Sequence, residues 1–221
     1  MGSTPGPQED TLAAFEAARG FMPLAEGLAL HAAATEAARL ELPLLEIGSY
    51  CGRSTLLLAD AARRAGTVVV TVDHHRGSEE QQPGWEYHDP ELVAPDGDGR
   101  MDTLPFFRRT LAAAGLEDHV VAVVGRSPQA AAALGGGGGG RYGLVFVDGG
   151  HTDEHAAADY VSWVPQLAEG GLLVIHDVFP DPADGGQAPF RIWRRALDSG
   201  AFAEHARCDS LRVLRRTGPG C

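Results

Sequence analysis

LLEIGSYCGRST, residues 44–55, decides how the rest of this chain is read. An apolar run carries Glu46 straight into Gly48, Ser49 and Gly52. Ser54 and Thr55 then open a stretch with Leu57, Leu58 and Ala61 at helical spacing. That is a short buried strand, a glycine turn and a helix. Glycine lets the backbone approach a ligand closely in a tight turn. The free N–H groups of the helix that follows point at whatever sits over that turn. The spacing is E-x-G-x-x-x-G, not G-x-G-x-x-G, and it lacks the Lys-Ser/Thr of a phosphate-binding loop. It suits a small ligand with a carboxylate and a ribose better than a pyrophosphate. Alone it is weakly specific, since two plain turn glycines would look the same.

The same rhythm repeats outward. TVVVTVDHH (67–75), HVVAVVG (119–125), YGLVFVDGGH (142–151) and GGLLVIHDV (170–178) are continuous apolar runs. Runs apolar on both faces point to a parallel sheet covered by helices on each side. Helices are predicted over 11–19, 23–40, 54–65, 101–114, 127–134, 152–167 and 190–199. The second presents Leu24, Leu28, His31 and Thr35 along one side. Residues 202–207 and 210–216 read as a final antiparallel pair. Strands alternating with helices over 44–175 give a doubly wound α/β fold. A length of 221 residues suits one domain, 11–221, behind a disordered tail, 1–10. Residues 76–100 break the rhythm. They are polar and rich in proline and glycine, yet hold Trp85, Tyr87 and His88, so they read as a lid over an acceptor.

The bulk numbers exclude some classes. A formal net charge of -12 argues against a nucleic-acid or anionic-membrane partner. The N-terminus has neither the basic nor the apolar region of a secretory signal, and no apolar run is long enough to span a bilayer. Cys51, Cys208 and Cys221 have no metal-type or paired spacing, which fits a reducing cytoplasm.

Ligands of such a sheet bind beyond the carboxyl ends of its strands. Here every strand ends in chemically useful groups: Glu46 to Gly52, Asp73 with His74 and His75, Gly125 with Arg126 and Ser127, Asp148 with His151, and His176 with Asp177. Asp73 stands about where an acid holds ribose hydroxyls. His74 and His75 are adjacent and diverge, so at most one faces the site.

On these motifs, LLEIGSYCGRST, TVDHH and DGGHTDEHAAADYVSWVPQLAEGGLLVIHDV, the chain resembles the class I S-adenosylmethionine-dependent O-methyltransferases. It is similar in particular to the metal-dependent macrocin-type and actinobacterial saccharide enzymes, including those of methylmannose polysaccharide assembly. The resemblance implies a Rossmann-like, seven-stranded, mostly parallel sheet with a reversed last strand. It places Glu46, Gly48, Ser49, Gly52, Ser54 and Thr55 along the methionine side of the cofactor, with Asp148 beside them. Asp73 would hold the ribose, and Arg126 and Ser127 would flank the adenine. It also implies a homodimer.

Asp148, His176 and Asp177 are candidate ligands for Mg²⁺ or a similar divalent cation, which prefers hard oxygen donors. The resemblance makes His151 the base. A cation on an acceptor hydroxyl lowers its pKa, His151 takes the proton, and the oxygen attacks the sulfonium methyl in line. The polar, partly aromatic loops suit a sugar or oligosaccharide acceptor such as a mannoside. A phenolic or polyketide acceptor stays open, as do a hydroxylase-like relative and a non-catalytic cofactor-binding subunit.

Overall fold

The structure is a computed structural model, described here for residues 6–78, 81, 84, 88–94, 99–135 and 140–221. In chain order its elements are α1 (Glu9–Ala17), α2 (Leu24–Ala37), β1 (Leu44–Ile47), α3 (Arg53–Ala65), β2 (Val69–Asp73), α4 (Leu104–Ala113) and β3 (Val120–Val124). Then come α5 (Ser127–Leu134), β4 (Tyr142–Val147), α6 (Asp153–Trp163), β5 (Leu167–Ile175), α7 (Ala188–Asp198), β6 (Phe202–Cys208) and β7 (Leu211–Arg216).

The described residues form one seven-stranded sheet in the order β3-β2-β1-β4-β5-β7-β6. The first five strands are parallel, and β7 runs antiparallel between β5 and β6. The reversed strand and the terminal pair agree with the sequence reading. Successive side chains point to opposite faces of a strand. Leu44, Leu144, Phe146 and Val174 therefore join a core under α1, α2, α3 and α4. Leu45, Ile47, Val145 and Val147 join a second core under α5, α6 and α7. Trp163, read from sequence as a core residue, is fully buried there.

Five local expectations change. On α2 the inward face carries Gly27, Leu30, His31 and Ala34, while Leu24 and Leu28 stay exposed. A Cβ at Gly27 would lie 2.7 Å from Phe15 and 2.9 Å from Leu57, so small residues must face α3 there. The helix expected from 101 starts at Leu104, because Met101 bridges to Val93 and Thr103 takes the cap position. The helix expected to 167 gives way after Trp163 to a 3₁₀ turn carrying Pro165, and β5 already begins at Leu167. Cover on both faces fails at the sheet edge, where Val121 and Val124 of β3 are 50 % and 56 % exposed. Part of the expected tail is ordered, since α1 starts at Glu9; residues 1–5 lie outside the described set. Among the described residues, no helix is long and apolar enough to cross a membrane.

Candidate active site

The carboxyl ends of β1, β2, β4 and β5 open into one cleft of about 750 Å³. Small-ligand sites commonly fall in that range. Gly48 sits at φ +85°, and a Cβ there would run into the carbonyl oxygen of Asp148. The backbones after β1 and β4 thus meet at the cleft floor, where only glycine fits. Asp73 latches the same turn: its carboxylate accepts from the N–H groups of Ser49 at 3.0 Å, Tyr50 at 2.8 Å and His75 at 2.7 Å. Ser49 Oγ lines the cleft region, is buried, and has no hydrogen-bond partner among the described residues. A buried hydroxyl without a partner is costly unless a ligand supplies one. The N-terminus of α3 opens just beyond, with Ser54 on the cleft wall.

Three residues expected on that wall lie elsewhere. Glu46 alternates with Leu44 onto the α3 side of the sheet and is completely buried. Its oxygens accept from Ser54 Oγ and Thr55 Oγ1, both at 2.6 Å, which pins β1 to the first turn of α3. Burial pushes its pKa up to about 8 against these two hydrogen bonds, with Asp148 and Asp73 adding to the rise. Thr55 is sealed with it, and Gly52 turns toward Phe107 rather than the cleft. These three build the wall from behind and do not line it.

The second constellation gathers at the ends of β4 and β5. One donor atom each from Asp148, His151 and Asp177 lie within 4.8 Å of one another. His151 Nε2 is 3.1 Å from Asp177 Oδ2. Asp177 holds a left-handed φ of +56°, a conformation that a non-glycine residue keeps only under constraint. Two carboxylates and an imidazole, half-buried beside open space, are donors that fit a hard divalent cation.

His176 is corrected from the expected ligand set. Its Nδ1 lies 3.1 Å from Asp148 Oδ1 and 3.3 Å from Asp177 Oδ2, and its Nε2 lies 2.8 Å from Glu26 Oε2. Both ring nitrogens are engaged by carboxylates, which leaves no lone pair for a metal. Burial opposes charge on this ring, but Asp148, Asp177 and Glu26 outweigh it and hold the imidazole pKa well above its ordinary value. The reciprocal effect appears on Asp177: burial alone would raise its carboxyl, yet the hydrogen bonds from His151 and His176 hold it below the usual carboxylate range.

Glu26 was missed in the sequence. It comes from α2, is 2 % exposed, and also accepts from Ser210 N at 2.6 Å and Ser210 Oγ at 2.7 Å. An acid predicted on a helix face gives no sign of its partner 150 positions later. Its one sequence cue was its place between apolar residues of the helix.

At the other end of the cleft stand His74, Gly125, Arg126, Ser127, His155 and Asp159. His74 faces the cleft, whereas His75 turns away at φ +57° to bond Thr103 Oγ1 at 2.8 Å, so one histidine of the pair faces in, as expected. Thr152 caps α6, accepting from His155 N at 3.3 Å, which leaves His151 outside the helix.

The N-terminal linker roofs the cleft with Arg19, Gly20, Phe21 and Met22. Arg53 ties it down, donating to Met22 O at 3.0 Å and Ala18 O at 2.7 Å. Arg19 pairs with Asp89 and Glu91 of the insertion, joining the two segments across the mouth. Of the residues expected to touch an acceptor, Trp85 and Tyr87 lie outside the described residues. His88 stands near Gln81 O at 3.2 Å and does not line the cleft.

Residues 45–178 match the family described as a methyltransferase domain. Among solved structures, the S-adenosylhomocysteine-bound methyltransferase PaMTH1 of Podospora anserina is 17% identical, with a TM-score of 0.63 over 97% of this chain and 91% of that one. An O-methyltransferase from Bacillus cereus, in complex with S-adenosylhomocysteine, is 15% identical, with a TM-score of 0.62 over 95% and 92%. The O-methyltransferase TomG from Streptomyces achromogenes, involved in tomaymycin synthesis and solved with S-adenosylmethionine, is 21% identical, with a TM-score of 0.59 over 96% and 91%. At these identities the likeness is one of fold.

Proposed function

The chain belongs to the methyltransferase-domain family, as an S-adenosylmethionine-dependent enzyme, and on that premise we propose that it methylates a hydroxyl of a sugar or oligosaccharide, a mannoside being the first candidate. The observation that carries O-methyl transfer is the His151–Asp177 pair, 3.1 Å apart at the open end of the cleft beside Asp148. Bound S-adenosylmethionine supplies an electrophilic methyl group. Gly48, Ser49 and Ser54 would hold its amino-acid end, Asp73 its ribose, and Arg126 with Ser127 its base.

A hydroxyl is a poor nucleophile until its proton leaves. With its Nε2 held 3.1 Å from Asp177 Oδ2, the His151 imidazole is oriented to take that proton, and Asp177 steadies the cation formed. A divalent ion, held by Asp148 and Asp177, would lower the hydroxyl pKa as a Lewis acid. An ion on the imidazole would occupy the lone pair the base needs, so this reading keeps His151 for the proton.

Arg19, Glu154 and Asp184 around the acceptor end support a polyhydroxylated acceptor. Phe21, 62 % exposed at the mouth, and Phe179 favour a second reading, a phenolic or polyketide hydroxyl. The reading takes the cytoplasm as the place of action and a homodimer as the working form. The test is titration calorimetry of S-adenosylmethionine, then release of S-adenosylhomocysteine with a panel of mannosides and catechols, with and without Mg²⁺. Turnover of mannosides supports the first reading and turnover of catechols the second. Absence of cofactor binding sinks both.

A further inference from the structure

The two edges of the sheet are built differently. At one edge, β6 exposes Glu204, His205 and Arg207, and its register with β7 shifts between Glu204 and Ala206. Charges and irregularities of this kind keep an edge from pairing with another chain. At the other edge, β3 reads Val-Val-Ala-Val-Val, with no charge, no proline and an unbroken register to β2. Val121, Ala122 and Val124 are exposed all the same. The polar groups of the backbone face outward too. Gly125 donates to Asp73 O at 3.0 Å, so its N–H points at β2. Backbone groups alternate in direction along a strand, so Val121 and Val123 also face β2, whereas Ala122 and Val124 aim their N–H and C=O groups off the sheet. A bare apolar edge is a template for a further strand.

Charge says which strand fits. Two copies of a chain with net charge -12 repel unless they meet where charge is absent or opposed. This edge offers both. Next to it, α5 exposes Pro128, Gln129, Ala132 and Ala133 and contains no charged residue. Depletion of charge marks the core of protein interfaces. Asp118, in the turn before β3, and Arg126, just after the strand, are exposed, and among the described residues neither forms an ion pair. A two-fold axis at Ala122 runs two β3 strands antiparallel. Val120 then faces Val124 of the other copy, and Asp118 comes alongside the other copy's Arg126, once at each end. We propose that a second copy of this chain docks here, joining two seven-stranded sheets edge to edge through β3. With five donors, Arg126 can serve this pair and the cleft together. The contact is isologous and closes at two copies, because β6 is guarded. The proposal rests on the homodimer reading above, to which it gives a surface.

The test is sedimentation equilibrium of the full chain at low salt. The wild type should sediment as a dimer. Ala122→Pro removes an N–H that points off the sheet and takes no bond from β2, so it should weaken the dimer by at least about tenfold. Asp118→Arg sets like charges side by side and should also cost at least about tenfold, while Asp118→Arg combined with Arg126→Asp should return the dimer to within about three-fold of wild type. Should Ala122→Pro lose its cooperative melt, the charge series, which lies outside the strand, decides. A folded Ala122→Pro that dimerises as tightly as wild type overturns the proposal, and so does a charge exchange that restores nothing. In both cases the homodimer stands on another face. A monomeric wild type overturns the proposal together with the homodimer reading, and leaves the edge to a different chain. Calorimetry of S-adenosylhomocysteine on the same samples reads the cofactor assignment separately.

Discussion

Glu26 Oε2 meets His176 Nε2 at 2.8 Å across 150 positions of sequence, and this contact ties the second helix to the catalytic end of the sheet. From Ser210 through Glu26 and His176, the chain of contacts reaches Asp148 and Asp177, and through Asp177 it reaches His151. Removing the charge at one end leaves a buried group uncompensated, which costs more than the pair contributes net. Glu26→Gln should therefore lower turnover by about 10- to 100-fold while the Kd of S-adenosylhomocysteine stays within about three-fold. Ser210→Ala, which removes one neutral donor, should cost less. Equal losses in Kd and turnover would show that Glu26 only supports the fold.

His151→Ala separates catalyst from binder. Loss of a positioned base typically costs about 10²- to 10⁴-fold in rate. Cofactor affinity should hold within about three-fold, because the ring sits at the acceptor end. Asp177→Asn should reproduce part of the rate loss by letting the imidazole turn. Unchanged turnover in His151→Ala would assign the proton to another group.

Gly48→Ala tests the cleft floor. The new methyl would meet the Asp148 carbonyl, and φ +85° is strained for any side chain. Both effects push the turns after β1 and β4 apart. S-adenosylhomocysteine binding should weaken by about 100-fold or more, with a fall in melting temperature. Near-normal binding would mean that the floor yields, and that the turn does not set the cofactor's seat.

The sheet was legible because its strands are continuous apolar runs separated by helical periodicity, a signal local to each segment. The positions of Asp73, Asp148, His151 and Asp177 followed, since strand ends converge by topology. Glu46 was misplaced because the motif fixes its strand and not its face; the alternation that points Leu44 to one core points Glu46 the same way. His176 was misread because its partner arrives from α2, and the apolar neighbours of Glu26 within residues 24–37 do not say which residue it meets. Leu24 and Leu28 misled for a related reason: apolar spacing selects a face only when the neighbouring helix leaves room for it.

Asp60 carries a stability prediction away from the cleft. Its side chain is fully buried and meets His31 Nε2 at 3.0 Å, Arg63 at 2.6 Å and Arg64 at 3.0 Å. Burial would raise its pKa, but the hydrogen bonds from His31 and Arg63 bring it down to about 2. A depressed carboxylate contributes stability above its unfolded value of 3.8, and that contribution is lost as pH falls toward 2. Asp60→Asn should cost about 3 kcal/mol near neutral pH, read by urea denaturation, and the gap to wild type should close as acid is added. A gap that stays constant down to about pH 3 would rule out the ionised carboxylate as its source.

Glu46 has the opposite sign. Its pKa rises from 4.5 to about 8, chiefly through burial, against the hydrogen bonds from Ser54 and Thr55. Between those values the folded protein keeps a proton that the unfolded chain has lost, so stability falls as pH rises through the window. The contribution is whole below 4.5 and gone above about 8. A tenfold difference in proton affinity between folded and unfolded chain corresponds to about 1.4 kcal/mol, so even part of this rise is measurable. Glu46→Gln keeps an oxygen for one hydroxyl and an amide for the other, and it does not titrate. Its melting temperature should start below or level with wild type near pH 5 and gain on it steadily toward pH 8. Parallel melting curves over that range would mean that Glu46 is ionised throughout, held so by the two hydroxyls and the N-terminus of α3.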